Sequence, residues 1–332
     1  VRVPQDQIPR GDVLLIYTTS FDTTVDLLMH RMGTQQCFRY NFDLWRDYKL
    51  DLDGIGFRIE DPTGRRIDQD TVSKVYYRKP FTTRDIDARI EISDQDGYCE
   101  AELWYALRDL TNLLWGMDKL VLVEPRADMR IGKFVQMRLA RRYFQVPDYH
   151  FGYGRPGPFL QREAVVKSLT LEPVAGKTAP RVIYTTRVAE TELSPAFPWF
   201  IQDYVAASKD VTVAFVRDRV FAFELDRDAF VKRTADWREL PVEATAAQWR
   251  PHPLDAAVER AVFGFMAELG LHYGRLDFLL EAGRYIFLEV NPNGQWGWLD
   301  ANGDYGLLDK MLEELSPQTP CHPLPRLGRI GI

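Results

Sequence analysis

The sequence of 332 residues has little cysteine, no surplus of basic charge and no long apolar run, and each shortage removes a class of protein. Its three cysteines, Cys37, Cys99 and Cys321, are too few and too widely spaced for a disulfide framework or a thiolate metal cluster. At least one of them stays unpaired, which fits a reducing, cytoplasmic location. Lys and Arg number 42 against 48 Asp and Glu, a net charge of -6. A surface that tracks nucleic-acid phosphates concentrates the opposite sign, so no nucleic-acid partner is expected. The longest apolar stretch, around Leu110 to Val123, is broken by Asn112, Asp118 and Lys119 and falls short of the roughly 20 apolar residues of a bilayer-spanning helix. No basic-then-apolar secretory signal opens the chain, and neither a repeat nor a low-complexity segment occurs. No Gly-rich turn follows the first apolar strand, so that first segment is not expected to bind a nucleotide by itself.

What is present is globular: 45% hydrophobic and 27% charged residues, in a length that suits two or three lobes. Val13 to Tyr17, a helix closed by Gly33, and Gln36 to Phe42 read as a βαβ unit. Asp61-Pro62-Thr63-Gly64 is a turn between two short strands, Gly56 to Ile59 and Arg66 to Asp68. Val75-Tyr76-Tyr77 reads as another strand. Asp94 to Trp115 is a long helix whose Leu103, Ala106, Leu107, Leu110 and Leu114 share a face. A second, basic helix is expected over Ile131 to Phe144. Beyond Pro147 the pattern turns to strands: Ala164 to Ser168, Arg181 to Val188, Trp199 to Val205, Val211 to Val216 and Val220 to Leu225. An apolar-periodic helix, Leu254 to Leu269, stops at Gly270. Two further strands, Arg275 to Leu280 and Tyr285 to Val290, flank a short turn, and Leu307 to Leu315 is a last helix.

The chemistry concentrates in Arg275-Leu-Asp277 and Phe287-Leu-Glu289-Val-Asn291-Pro-Asn-Gly294. Alternate strand residues share a face, so Glu289 and Asn291 point the same way. The turn near Gly283 sets Asp277 opposite Glu289 to within about one residue. Two carboxylates and an amide oxygen suit a hard divalent cation that completes its shell with water and phosphate. Arg275 shares their face and can sit beside a phosphoryl group. Lys167, ending a short apolar strand, and Lys133, on the basic helix, can each reach phosphate oxygens. Taken alone, Lys167 reads better as an edge-strand lysine snorkelling to water, and Lys133 as one cation on a basic helix face. In Phe200 to Val205, extended backbone flanked by apolar side chains can hold a base, and a carboxylate downstream can take ribose hydroxyls.

In their order, Lys133, Lys167, Gln202 to Val205, Arg275, Asp277, Glu289 and Asn291 resemble the ATP-grasp fold. The resemblance is closer still to the graspetide synthetases, the microviridin-type peptide maturases. It is carried there by Val75-Tyr-Tyr-Arg-Lys-Pro80, Glu102, Asp236-Trp237-Arg238 and Phe287 to Trp296, and it spans roughly residues 12 to 315. It implies mixed α/β and α+β architecture: an N-terminal α/β domain (1–125), a central ATP-grasp subdomain (126–208) and a C-terminal one with the metal site (209–332). It implies ATP and Mg²⁺ as cofactors, with Lys133 and Lys167 on phosphates. Gln202, Tyr204 and Val205 would line the adenine, Asp210 would meet the ribose, and Asp277, Glu289 and Asn291 would hold Mg²⁺. Arg275 and Arg238 would face the transferring phosphate or the acceptor carboxylate. Arg78 and Glu192 are substrate candidates, Glu192 through a hairpin of Leu169 to Leu171 with Arg181 to Val188. The implied partner is a ribosomal precursor peptide with a leader segment, and the implied assembly a homodimer.

The chain departs from the family in two places. The usual Asp-x-Arg reads Asp210-Val-Thr212 here, and the usual Asn-Pro reads Glu124-Pro125. Two other readings share much of the pattern. One is a carboxylate–amine ligase for free amino acids or small peptides. The other is a non-catalytic ATP-binding scaffold, against which the complete metal triad and both lysines weigh.

Overall fold

The computed structural model describes residues 12–78, 94–153, 163–169, 184–188, 193–194, 196–229, 235–239, 248–322 and 324. In chain order the first half forms β1 (Val13–Thr18), α1 (Thr23–Met32), β2 (Cys37–Asn41), β3 (Lys49–Leu52), β4 (Phe57–Glu60), β5 (Arg66–Asp68), β6 (Val72–Tyr77), α2 (Asp94–Gly116), α3 (Ala127–Arg130) and α4 (Lys133–Ala140). Then come β7 (Tyr149–Tyr153), β8 (Ala164–Lys167), β9 (Thr186–Val188), β10 (Pro198–Asp203), β11 (Lys209–Val216), β12 (Arg219–Asp226) and β13 (Arg250–Pro251). The last elements are α5 (Ala256–Leu269), β14 (Tyr273–Glu281), β15 (Arg284–Asn291) and α6 (Leu307–Leu315). These elements fall into two compact units. The first runs to Asp128 and resumes at Gly270–Tyr273 and from Gln295; the second holds Met129–Leu269 and Gly274–Gly294.

In the first unit β1 lies between β2 and β6 and is parallel to both, as the βαβ pattern predicts. All six β1 residues are buried, as suits a central parallel strand covered on both faces. Asp22 caps α1, its Oδ1 accepting from the Thr24 amide at 3.0 Å. The helix stops at Gly33, whose φ of 86° a side chain would resist. Strands β3, β4 and β5 form a separate antiparallel sheet. Leu107, Leu110 and Leu114 of α2 pack with β1, Tyr40, Ile59, Ile67 and Val75 in one core.

The amphipathic α6 also belongs to this unit, burying Leu307, Leu308, Met311 and Leu315. The buried Lys74 ammonium donates to the Glu314 carbonyl at 2.8 Å and to Thr319 Oγ1 at 2.7 Å. Residues 295–322 thus belong to the same compact unit as the first sheet.

The second unit contains a four-stranded sheet in the order β7-β10-β8-β9 and a five-stranded sheet in the order β13-β12-β11-β14-β15. The basic helix α4 ends at Ala140, not Phe144. The turn after it brings Phe144 into a ring cluster, 5.7 Å from Phe287 and 5.6 Å from Phe265. Packing of the Phe144 ring takes the place of four further helical residues. Strand β7 was not foreseen. The expected hairpin of Leu169–Leu171 with Arg181–Val188 falls largely outside the described residues; its Thr186–Val188 end, β9, pairs antiparallel with β8 instead, with Val165 opposite Arg187. Its 172–180 loop and Glu192 lie outside the described residues.

Candidate active site

The site is built from the β14–β15 hairpin. Its two-residue connection, Ala282-Gly283, has φ of 48° and 79°, the positive values of a tight turn that matches strand twist. The turn fixes the register: Asp277 stands opposite Glu289, and Arg275 opposite Asn291. Directly paired residues share a face, so all four side chains project together. A bulge follows Asp277, and it leaves Leu288 beside Glu289 on the cleft wall. The Asn291 amide lies 3.5 Å from Asp277 Oδ2 and 3.4 Å from Glu289 Oε1. Thr212 donates to Asp277 Oδ1 at 2.8 Å, and the Arg275 guanidinium is 3.2 Å from Asp277 Oδ2. Gly294 is required here: a Cβ on it would come within 2.7 Å of the Arg275 Cβ.

Cations from three other elements close on this hairpin. Lys133 opens α4 behind Gly132, and its ammonium is 2.6 Å from Glu289 Oε2. Arg238 sits on a short helical turn. Asp236 anchors it with two 2.8 Å bonds, to Nε and Nη2, and also accepts the Arg238 and Thr185 amides. Arg238 Nη1 reaches within 3.9 Å of Glu289 Oε1. Lys167, at the end of β8, lines the same cleft.

The electrostatics follow from this crowding. Burial, and then the neighbouring Lys133, push the Lys167 ammonium down to about 8. Burial pushes Glu289 up, but Lys133, Arg238 and Lys167 outweigh it and hold the carboxyl below the usual range. Desolvation by the cleft opposes charge on Arg238, whose side chain is nonetheless 46% exposed, and Asp236 and Glu289 outweigh it and move the guanidinium upward. Burial raises Asp210 to about 6 even though Arg227 lies 2.9 Å away.

Lys133, Lys167, Gln202, Tyr204, Val205, Asp210, Arg238, Asp277, Glu289 and Asn291 thus line one cleft, within the second unit. Val205 packs with Leu279 and Leu288, which supply an apolar wall. Arg275 is not among the lining residues and touches the site through Asp277. The Asp203 and Tyr204 amides, expected to be open to a base, instead donate to Asp148 and Glu163 carbonyls, each at 2.9 Å. Arg78 belongs to the first unit, fully buried and 3.3 Å from Asp22. Arg227 and Trp249 line the cleft without having been singled out. The partnership of Arg227 with Asp210 spans 17 residues and leaves no local signal.

The donor set fits Mg²⁺ arriving with phosphate. Among the described residues no group of three or more His, Cys, Asp and Glu is placed to hold a metal unaided. Two carboxylates and an amide, with cations alongside, suit an ion that draws the rest of its shell from water and a nucleotide.

The two sheets, with this hairpin carrying the acidic pair, are those of the ATP-grasp fold. A RiPP-associated ATP-grasp ligase from Chryseobacterium gregarium, solved with ADP and a leader and core peptide, superposes with a TM-score of 0.74 at 20% identity, over 95% of this chain and 100% of that one. The macrocyclase MdnC of Microcystis aeruginosa, bound to its precursor peptide MdnA, gives 0.70 at 21% identity, over 91% and 98%. A D-alanine–D-alanine ligase from Bacillus anthracis gives 0.50 at 12% identity, over 92% and 96%. No family model and no curated protein matches the sequence.

Proposed function

We propose that this protein is an ATP-dependent ligase that closes ω-ester or ω-amide rings in a ribosomal precursor peptide. The observation that carries this reading is the convergence of Lys133, Lys167, Arg238, Asp277, Glu289 and Asn291 in one cleft of an ATP-grasp fold. In the reaction, a side-chain carboxylate oxygen of the peptide attacks the γ-phosphorus of ATP and ADP leaves. A hydroxyl or amine of the same peptide then attacks the activated carbonyl; phosphate departs with its bridging oxygen and the nucleophile loses a proton.

The residues hold and neutralise. Lys133 and Lys167 bind phosphate oxygens, and the apolar wall at Val205 with Tyr204 and Gln202 receives the base. Asp210, fixed by Arg227, faces the ribose. Asp277, Glu289 and Asn291 would hold Mg²⁺, which supplies charge neutralisation on the transferring phosphoryl group. Arg238, locked by Asp236, and Arg275, locked by Asp277, present guanidinium charge to the phosphoryl group or the acceptor carboxylate, which is most of what phosphoryl transfer requires. We assign the leader to the segment around Glu192; Arg78, fully buried against Asp22, can bear on the substrate only indirectly. The three-lobe division, a homodimeric assembly and a cytoplasmic setting belong to the same reading. Among the described residues no helix is long and apolar enough to cross a membrane.

The carboxylate–amine ligase reading draws on the D-alanine–D-alanine ligase likeness, whose TM-score of 0.50 is below the 0.74 of the peptide-bound ligase. Co-expression with short open reading frames neighbouring its gene, followed by mass spectrometry, separates the two. Each ring closed removes one water from the peptide mass. Unmodified peptides, together with ADP release on free amino acids, would favour the second reading.

A further inference from the structure

In this cleft the Glu289 carboxylate has a cation on it. Lys133 Nζ is 2.6 Å from Oε2, while Arg238 stands off at 3.9 Å from Oε1. Both partners of the close pair are largely shielded, Lys133 at 17% and Glu289 at 14% side-chain exposure. An ion pair at that distance, away from bulk water, is far stronger than one on the surface. A divalent cation coordinated by Glu289 would sit against the Lys133 ammonium, and two such charges repel. The ammonium on Oε2 therefore opposes a metal on the same carboxylate, and its departure favours metal entry. Lys133 has an unbranched, flexible stem, and it lies in the same cleft as Lys167, where phosphate oxygens would offer it a replacement partner.

Resting on the nucleotide–metal reading of this cleft, we propose that Lys133 is a positioning latch: it occupies Glu289 in the free protein and releases it to metal only when a nucleotide phosphate takes the ammonium. Metal binding is thereby made conditional on nucleotide. The coupling is reciprocal, so metal in turn strengthens nucleotide binding by the same factor. A site built this way resists loading with a stray divalent cation while empty, and it assembles its metal and its phosphate donor together.

The test counts bound Mn²⁺ by the loss of the free-ion electron paramagnetic resonance signal, with and without ADP. Only sites lost in Glu289→Gln are counted. Wild-type protein should bind Mn²⁺ weakly alone and much more tightly with ADP. Lys133→Met keeps an unbranched stem without the charge, and should bind Mn²⁺ alone at least about tenfold more tightly, within the usual range of coupling between sites. The enhancement by ADP should shrink in that variant. Lys133→Arg should behave as wild type toward metal alone. Lys167→Met removes a nearby charge that has no ion pair with Glu289, and should change metal-alone binding less than about threefold, under ~1 kcal/mol. The latch is overturned if Lys133→Met leaves metal-alone affinity within twofold of wild type, or if Lys167→Met gives the same gain. If ADP fails to tighten Mn²⁺ binding to the wild type, the nucleotide–metal reading itself falls.

Discussion

Both units bury charged side chains, and they use them in opposite ways. Among the described residues of the first unit, shielded cations are tied to backbone or to carboxylates of their own, as Lys310 is held between Glu313 and Glu314. Lys74 caps the end of α6 through the Glu314 carbonyl, Lys119 donates to the Val72 carbonyl at 2.7 Å, and Arg78 faces Asp22. In the second unit Lys133 and Arg238 converge on one carboxylate, and Lys167 is close enough to feel both. A cation on a carbonyl satisfies helix and strand ends and stays where it is. Cations gathered on one acid are mutually repelling, and a ligand that carries negative charge relieves them. Burial of charge alone does not mark a site; the number of like charges sharing one partner does.

The contrast can be broken by substitution. The largest effect is expected from Glu289→Gln, which removes the shared acid. Turnover, read as ADP release, should fall by at least about a thousandfold, the scale of losing a central electrostatic contact, with the thermal midpoint little changed. Wild-type turnover at ordinary magnesium would remove Glu289 from the metal site.

A smaller effect is expected for Lys167→Ala, which should raise the ADP dissociation constant about tenfold, or ~1.4 kcal/mol; a change under about threefold would make Lys167 an ordinary surface lysine. The pH dependence has a definite sign. The folded protein holds Lys167 down at about 8, so between that value and the unfolded lysine range near ~10.4 the unfolded chain carries the extra proton. Stability contributed by this group therefore rises with pH across that window. Nucleotide affinity moves the other way, falling as pH is raised past about 8, because the ammonium that meets phosphate is lost. Calorimetry at several pH values should show this fall in wild type and not in Lys167→Ala.

The smallest functional effect belongs to Lys74→Met in the first unit. It should lower unfolding stability by about 1–3 kcal/mol, the cost of leaving buried acceptors unmet, and shift the ADP dissociation constant less than twofold. A larger shift would mean that the first unit's buried charge also serves the nucleotide.

Period-2 alternation and a short turn put Asp277 across from Glu289 in the sequence alone, and the structure has that register. The helices at 23–32 and 307–315 were legible from apolar spacing and from the Gly33 stop. Strand β7, Tyr149–Tyr153, was not: a glycine and a histidine interrupt its pattern, and its pairing with β10 joins residues about fifty apart. The pairing of Asp210 with Arg227, the Lys133 contact to Glu289 across 156 residues and the docking of α6 beside Lys74 are likewise tertiary. No local pattern encodes them. The bulge after Asp277 was also invisible, since it adds a residue to one strand without changing composition.

The bond from Lys74 to the Glu314 carbonyl spans 240 residues. During synthesis, the strands of the first unit leave the ribosome early but lack α6 until the chain has grown past Leu315. The second unit, Met129–Leu269 and Gly274–Gly294, is encoded inside that interval and can complete its sheets first. Domains usually consolidate in the order they emerge, at about 5–20 residues per second. Here the segment made first is expected to finish last, so a released chain ending just after Gly294 should keep a protease-resistant second unit beside a protease-sensitive first one.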